Sequence, residues 1–184
     1  NTNFSYSKIE SCDFIGANIT DSCFDNCSLD NVDITGIQLT DVSFKLVTSN
    51  NITPRNIDIL PYVVRNGTII GPHIDLFGVN FENANLSTAN FTNVQTKNIT
   101  PLNGDGVTLP SGYKIQQGIL YGTDVHLYDI EIISDTINLE YVDISNAKIN
   151  NFKSNGLIRP LDGQNVTLPS GYKIINGNLC GKNV

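Results

Sequence analysis

The sequence has 184 residues, of which 40% are hydrophobic and 8% aromatic, and it carries a net charge of −7. This length suits a single domain. The acidic balance and the lack of a basic cluster argue against direct binding of nucleic acid. No apolar run approaches the roughly 20 residues that a membrane-spanning helix needs, and no signal-peptide pattern is found near residue 1.

Residues 1–44 repeat with a period of five. Every fifth residue is large and apolar, which forms one column: Phe4, Ile9, Phe14, Ile19, Phe24, Leu29, Ile34, Leu39 and Phe44. Two residues before each of these lies a second column, small at first and β-branched later: Thr2, Ser7, Cys12, Ala17, Ser22, Cys27, Val32, Ile37 and Val42. A period of five fits neither a helix nor a flat strand. It is typical of a repeat protein whose units bury their faces against one another.

The repeats resemble those of the pentapeptide-repeat family, whose loose pattern is A-(D/N)-L-x-x. The pattern is found at Ala17-Asn18-Ile19-Thr20-Asp21 and at Ala84-Asn85-Leu86-Ser87-Thr88. The resemblance implies an all-β fold, a right-handed quadrilateral β-helix with four pentapeptides in each coil. It also implies that both columns point inward. A coil of twenty residues would then stack Phe4, Phe24 and Phe44 on one side.

The regular pattern is interrupted by loop insertions. Ser49 and Pro54 occupy central positions, which predicts an irregular wall from about residue 45 to residue 60. A connector motif then occurs three times, at residues 60–71, 109–122 and 168–181. Its aligned residues are Tyr62, Tyr113 and Tyr172, then Gly67, Gly118 and Gly177, then Gly71, Gly122 and Gly181. The motif resembles LPSGYK-type modules of other pentapeptide-repeat proteins, and its Leu-Pro and Gly residues predict an edge of the solenoid and not a site.

The phase of the repeat changes after each connector. Ile69 and Leu76 are seven residues apart, as are Leu120 and Leu127, which predicts a bulge or a widened corner. A second change of phase falls around Ser134 to Thr136. We therefore predict one solenoid over residues 1–184, made of a partial module at 1–50, modules at 51–97 and 98–155, and a partial module at 156–184. Because the sequence has no Met and begins in phase with the repeat, we expect it to be a segment of a longer protein.

Stacking by twenty places carboxylates over one another in the first coils. Glu10 would lie over Asp30, and Asp13 over Asp33, at strand spacings of about 4.8 Å. Four such carboxylates could bind a hard cation such as Ca²⁺. The favoured alternative is a solvated acidic face, because the residues match no known calcium loop. We predict no metal and no cofactor as the principal interpretation.

The cysteines are predicted to be free thiols. Cys12 and Cys27 fall at inward positions and Cys23 at an outward one, but none of them are twenty residues apart. Cys180 has no evident partner in the sequence. Their spacing also differs from that of paired metal-binding motifs.

The sequence contains no recognisable catalytic motif. His73 and His126 precede the second and third repeat runs, without a Ser-His-Asp set, a phosphate loop or a metal-binding helix. Nine Asn-x-Ser/Thr sequons follow from the repeat pattern itself and are not taken as glycan sites: Asn3, Asn18, Asn26, Asn51, Asn66, Asn85, Asn90, Asn98 and Asn165. We therefore expect no enzymatic activity.

The predicted function is that of a structural or interaction protein, a rigid β-helical rod or scaffold segment. Its expected partners are other protein chains or copies of itself, with no nucleic acid, membrane or small-molecule substrate. A virion or an extracellular assembly is the guessed location, and the cytoplasm is the alternative. Two other classes stay open: a DNA-mimicking inhibitor of a type II topoisomerase, as some members of the family are, and a binding module that uses exposed aromatic residues such as Tyr121, Tyr128 or Tyr141.

Overall fold

Short parallel strands stack along the axis of a four-sided β-solenoid of about seven turns. The computed structural model describes residues 1–132, 137–154 and 158–182. No helix is found among these residues, and so none that is long and apolar enough to cross a membrane. The second change of phase, at residues 134–136, and the module boundary at residue 156 lie outside the described residues.

The described residues form strands of two to four residues, which is the length of one side of a coil. In the first half of the chain they are β1 (Lys8–Glu10), β2 (Ser28–Asp30), β3 (Thr48–Asn50), β4 (Ile57–Ile59), β5 (Tyr62–Arg65), β6 (Thr68–Ile70), β7 (Asp75–Phe77) and β8 (Gln95–Lys97). In the second half they are β9 (Lys114–Gln116), β10 (Ile119–Tyr121), β11 (His126–Tyr128), β12 (Glu131–Ile132), β13 (Ile137–Asn138), β14 (Lys148–Asn150), β15 (Lys153–Ser154), β16 (Ile158–Arg159), β17 (Lys173–Ile175) and β18 (Asn178–Cys180).

The twenty-residue coil is confirmed by the strand pairing of the first block. β1 pairs in parallel with β2, and β2 with β3, so that Ile9, Leu29 and Ser49 are in register. Isolated parallel bridges on the other sides keep the same offset, as between Asp13 and Asp33. Further along the chain, β7 and β8 pair with an offset of twenty, whereas β11 and β14 pair with an offset of twenty-two.

The corners of the coil explain the polar part of the repeat. In the block of residues 1–44 and the turn that follows it, the residue two after each central residue has a positive φ, as do Asp21 (55°) and Asn26 (60°). Asn and Asp tolerate this conformation better than most residues. The residue before the central one is often Asn or Asp. Its side-chain oxygen accepts a hydrogen bond from the N–H two residues later, as Asn18 does from Thr20 (3.0 Å). The A-(D/N)-L-x-x pattern therefore encodes a strand residue followed by a capped turn.

Both columns point inward, as the repeat predicts. Phe24, Val32 and Val47 are almost completely buried, and the rings of Phe24 and Phe44 stack with their centroids 5.2 Å apart. The first coil is less buried than the second because no described residue covers its outer edge. Cys12, predicted to point inward, is therefore exposed.

The connectors differ from the predicted solenoid edge. Each contains an antiparallel hairpin, formed by β5–β6, by β9–β10 and by β17–β18, and the preceding strand β4 adds to the first of them. Hairpin residues such as Val64, Ile70 and Leu120 are fully buried, so the hairpins belong to the wall and the core. The wall also stays regular through Asn50, in β3, which is further than the sequence predicted. The reason is that Ser49 fits a central position once its hydroxyl has a hydrogen-bond partner.

Candidate functional site

Each connector places a tyrosine ring beside a glycine of the coil. Gly71 lies twenty residues before Phe91, in the same register that pairs Leu76 with Thr96, and so it occupies a central position of the repeat. The ring of Tyr62 fills the space that a side chain at Gly71 would take. This ring also packs edge-on against Phe44, with centroids 5.0 Å apart. The hairpin thus continues the core with a side chain from another part of the chain.

The second and third connectors repeat this arrangement. The ring of Tyr113 lies against Gly122 and packs on Phe91, with centroids 5.3 Å apart. Its hydroxyl donates to the carbonyl of Thr123 (2.9 Å). Burial, with smaller contributions from Asp124 and Asp143, raises the pKa of Tyr113 to about 12. The change of phase after a connector therefore falls at the junction between a hairpin and a coil.

The tips of the hairpins bind back onto the coil. The two turn residues of the first tip, Asn66 and Gly67, both have positive φ, the conformation of a tight hairpin turn for which an Asn-Gly dipeptide is favoured. The carbonyl of Gly67 accepts a hydrogen bond from Ile52, and in the second connector the carbonyl of Gly118 accepts one from Ile99. The third connector has the same bond between Ile158 and Gly177. The carbonyl of each hairpin tip therefore takes the place of the strand carbonyl that the next coil would otherwise offer to the same N–H group.

Two hydroxyl groups at central positions accept hydrogen bonds from the hairpins. Ser49 Oγ accepts the N–H of Ile69 (2.8 Å), and Thr96 Oγ1 accepts the N–H of Leu120 (2.9 Å). Thr96 is only 4% exposed, so the N–H of Leu120 could not form a hydrogen bond with bulk water if Thr96 were removed as its acceptor. Ser49 and Thr96, the polar residues in the apolar column, thus provide hydrogen-bond acceptors for the backbone N–H groups of the hairpins.

Basic and amide side chains of the hairpins bind the strand edge of the following coil. Arg65 Nε donates to the carbonyl of Asn85 (2.8 Å), and its Nη2 donates to Asp58 Oδ1 (2.6 Å). Asn66 Nδ2 donates to the carbonyls of Asn80 (3.2 Å) and Glu82 (3.0 Å). In the second connector Lys114 Nζ similarly donates to a coil carbonyl, that of Glu140 (3.2 Å). These bonds hold each hairpin in one position on the wall.

A groove opens where the first connector enters the wall. β3 and β7 follow each other along one side of the solenoid but belong to different sheets, and side chains of the hairpin separate them. The groove has a volume of about 520 Å³. Its lining is mostly polar, with one exposed aromatic residue: Glu10, Ser28, Leu29, Asp30, Thr48, Ser49, Asn50, Asn66, Thr68, Phe77, Gly78, Val79 and Asn80. We call this site the Phe77 groove.

The four carboxylates of the predicted cation cluster are stacked in pairs but are not joined into one site. Glu10 lies over Asp30, and Asp13 over Asp33, as predicted. Their oxygens have separate partners: Glu10 binds Lys8 (2.6 Å), and Asp13 and Asp33 cap their own turns. In the described part of the chain, no group of three or more His, Cys, Asp or Glu residues is arranged to hold a metal ion.

The other residues singled out by the sequence have local roles. All four cysteines are free thiols, which confirms the prediction, and the Sγ atom of Cys27 donates to the carbonyl of Phe4 (2.8 Å). His126 Nε2 lies 3.0 Å from Asn93 Oδ1. Burial, together with the nearby Lys148 and His73, lowers the pKa of His126, so its ring is neutral near pH 7.

Of the three tyrosines considered as exposed binding residues, one was predicted wrongly. Tyr121 is completely buried, because β10 packs against the core, and its hydroxyl has no hydrogen-bond partner. Burial strongly raises its pKa. Tyr128 is half-buried and stacks on His126, whereas Tyr141 is exposed. Tyr128 in β11 and Phe77 in β7 lie on either side of β8 in one sheet. The sequence reasoning missed Phe77, although its outward position in the repeat could have revealed it.

The comparison with protein families matches eight copies of the pentapeptide repeat to residues 1–45 and 73–95. These two segments coincide with the regular coils on either side of the first connector. The comparisons with curated proteins and with solved structures gave no match. Residues 1–45 and 73–95 are therefore pentapeptide repeats, and they lie in the β-solenoid fold that such repeats form.

Proposed function

We propose that this chain is a non-catalytic structural or interaction protein whose solenoid acts as a rigid rod or scaffold segment. Pentapeptide-repeat solenoids are typically non-catalytic, and their stacked coils suit a mechanical role. The observation that carries the proposal is the continuity of the core through the connectors. Tyr62 and Tyr113 fill the core beside Gly71 and Gly122, so the insertions do not act as hinges.

The bonds between hairpin and coil support the same conclusion. A flexible joint would have few buried contacts and few hydrogen bonds across it. Here the hairpins bind the preceding coil through Ser49 and Thr96, and the following coil through Arg65 and Lys114. Force applied along the axis is therefore carried from coil to coil without a weak point at a connector.

The partners we propose are other protein chains or further copies of this chain. The outward rows of Asn, Asp, Ser and Thr form flat polar faces, and flat faces suit side-by-side packing with other proteins. An assembly on a virion or a cell surface is the narrower form of this proposal. Sedimentation velocity over a range of concentrations tests it: association supports self-assembly, and a monomer at every concentration limits the partners to other chains.

A DNA-mimicking inhibitor of a topoisomerase is the weaker alternative. It needs a continuous acidic stripe, but the row that begins with Glu10 and Asp30 continues with Asn50, and on the next sheet with Phe77 and Lys97. Residues 1–50 carry seven acidic and two basic side chains, so the acidic surface is confined to one end. Inhibition of gyrase supercoiling by the purified chain would favour this alternative over the rod.

Hydrogen exchange followed by mass spectrometry tests the rod directly. Peptides that cover the hairpins at residues 57–70 and 114–121 are expected to be protected as strongly as peptides that cover β7 and β8. The amides of Ile69 and Leu120 are the most informative because each donates to a side-chain hydroxyl. Rapid exchange of both hairpins beside protected coils would show hinged segments and would overturn the rigid rod.

A further inference from the structure

We propose that the Phe77 groove binds a neutral oligosaccharide. The groove is open to solvent, and its volume of about 520 Å³ gives room for more than one sugar ring. Sites for small molecules combine an apolar surface with a few polar groups held in fixed positions. The groove has both.

The apolar surface is the ring of Phe77. This side chain is 50% exposed and lies at an outward position, in register with Lys97 of the next coil. In the preceding coils the corresponding outward residues are Glu10, Asp30 and Asn50, all of them polar. A half-exposed ring at the wall of a polar groove offers a flat surface for the C–H face of a pyranose.

The polar groups of the groove are already oriented by bonds to one another. Asp30 Oδ1 accepts from Asn50 Nδ2 (3.1 Å), which leaves the second carboxylate oxygen of Asp30 and the Oδ1 of Asn50 to accept hydrogen bonds from a ligand. On the opposite side, Asn66 Nδ2 is held by two carbonyls and Asn80 Oδ1 by the N–H of Glu82 (2.8 Å). The Oδ1 of Asn66 and the Nδ2 of Asn80 remain to accept from, and donate to, sugar hydroxyls. Fixed groups of this kind reduce the entropic cost of binding.

The charges that line the groove select against anionic ligands. Glu10 and Asp30 contribute carboxylates, and none of the described residues that line the groove is Lys or Arg. Because Lys8 pairs with Glu10, the carboxylate of Asp30 supplies the main charge that disfavours sulfated or sialylated glycans and phosphates. A cationic peptide is the competing occupant, but Glu10 is paired with Lys8 and Asp30 with Asn50, and amides and hydroxyls outnumber the carboxylates. This composition favours a neutral ligand with many hydroxyl groups.

The proposed ligand is bound and not transformed, so it agrees with the predicted absence of a small-molecule substrate. It also adds to the proposed rod, because the groove forms only where a connector separates β3 from β7. A rod that carries such a groove could attach to a glycan while its other faces contact protein. Loss of glycan binding would leave the rod intact, and loss of rigidity would appear in hydrogen exchange, so the two proposals fail separately.

The experiment is an array of neutral oligosaccharides, with sialylated and sulfated glycans and oligolysine as charged probes, followed by calorimetric titration of the strongest neutral binder. Binding by a neutral oligosaccharide, weakened at least tenfold by Phe77→Ala and by Asn50→Ala, is the expected result. Tyr141→Ala is the matched control, because Tyr141 is exposed and lies outside the groove. Circular dichroism shows whether each variant is folded; Phe77→Leu, which keeps the volume but not the ring, replaces Phe77→Ala if the latter unfolds.

Three results would overturn the proposal. The first is that no neutral oligosaccharide binds at millimolar concentration. The second is that a neutral oligosaccharide binds with unchanged affinity to the Phe77 variants, which would place its site elsewhere on the solenoid. The third is that oligolysine alone binds and competes for the groove, which would assign it to a cationic peptide.

Discussion

The ring of Tyr62 occupies the place of a side chain on Gly71: a Cβ atom at Gly71 would lie 2.2 Å from Cδ1 of the ring. The corresponding distance is 1.9 Å between Gly122 and Tyr113, and 2.2 Å between Gly181 and Tyr172. A Cβ atom essentially never approaches a non-bonded heavy atom of another residue within 3.0 Å. In each connector the tyrosine ring therefore fits only because the residue beside it is glycine.

The first prediction concerns this pair. Gly71→Ala should lower the free energy of unfolding by about 1–3 kcal/mol, because the added methyl group forces the Tyr62 ring out of its packed position. Urea denaturation followed by circular dichroism measures the change. Gly71 does not have a positive φ, so the effect would report the clash and not backbone strain.

The control for this prediction is a double-mutant cycle. Tyr62→Ala alone should be destabilising by about 3–5 kcal/mol, as for other large core residues. In that background Gly71→Ala should cost little, because the methyl group then enters the empty space. An equal cost in both backgrounds would show that the ring and the glycine are not coupled.

The second prediction concerns the buried hydroxyl of Thr96. Thr96→Val keeps the shape of the side chain but leaves the N–H of Leu120 without its acceptor, so we expect a loss of about 1–3 kcal/mol. Hydrogen exchange of the Leu120 amide should become faster in the same variant. Thr108→Val is the matched control, since Thr108 is exposed and takes part in a parallel bridge through its backbone. A similar loss of stability in both variants would contradict the assigned role.

The regular coils could be predicted from the sequence because their signal is local and repeated. Every fifth apolar residue, and the Asn or Asp before it, fix the inward column and the capped turn within one pentapeptide. Stacking by twenty then follows from the resemblance and is confirmed by the pairing of Ile9 with Leu29. The central position of Ser49 was harder to interpret, because its partner, the N–H of Ile69, is twenty residues away and in a hairpin.

The connectors and the Phe77 groove could not be predicted in the same way because they depend on contacts between distant segments. The recurrence of Tyr62 and Gly71 indicated a module, but the sequence does not show that the ring lies against the glycine. The groove brings Asn66 and Thr68 of the first hairpin beside β3 and β7, which only the arrangement of the hairpin provides. The cation cluster was plausible from stacking alone, and it does not form because neighbouring N–H groups and Lys8 bind its oxygens.

The third prediction concerns the guanidinium group of Arg65, which joins the first hairpin to the next coil. Arg65→Lys should lower the free energy of unfolding by about 1.5–3 kcal/mol, because a lysine cannot reproduce the bonds to Asn85, Ile57 and Asp58 at once. Urea denaturation measures the loss. Arg55→Lys is the matched control, since Arg55 is exposed and forms one long side-chain hydrogen bond, to Asn51 (3.4 Å). Equal stability of the two variants would show that the hairpin is held by its apolar contacts alone.

The fourth prediction concerns pH and Asp33. The side-chain hydroxyl of Thr35 (2.6 Å) and its backbone N–H (2.8 Å) donate to Asp33 Oδ1 and lower the pKa of this carboxyl below its ordinary value of 3.8. A group whose pKa is lower in the folded state stabilises the fold above its ordinary pKa, and this stabilisation is lost as the pH falls through the lowered value. Asp33→Asn keeps a side-chain acceptor for the turn but removes the titration.

The melting temperature should therefore respond to acid differently in the two proteins. Between about pH 5 and pH 2 that of the wild type should fall further than that of Asp33→Asn, whereas near neutral pH the carboxylate should make the wild type the more stable. Asp105→Asn serves as the control for the loss of one exposed charge. Thr35→Val, which removes the hydroxyl, should reduce the effect of Asp33→Asn when the two substitutions are combined, because the hydroxyl is the largest cause of the lowered pKa. Parallel acid profiles for the wild type and Asp33→Asn would show that the turn does not depend on the charge of Asp33, and that its backbone geometry alone holds the corner.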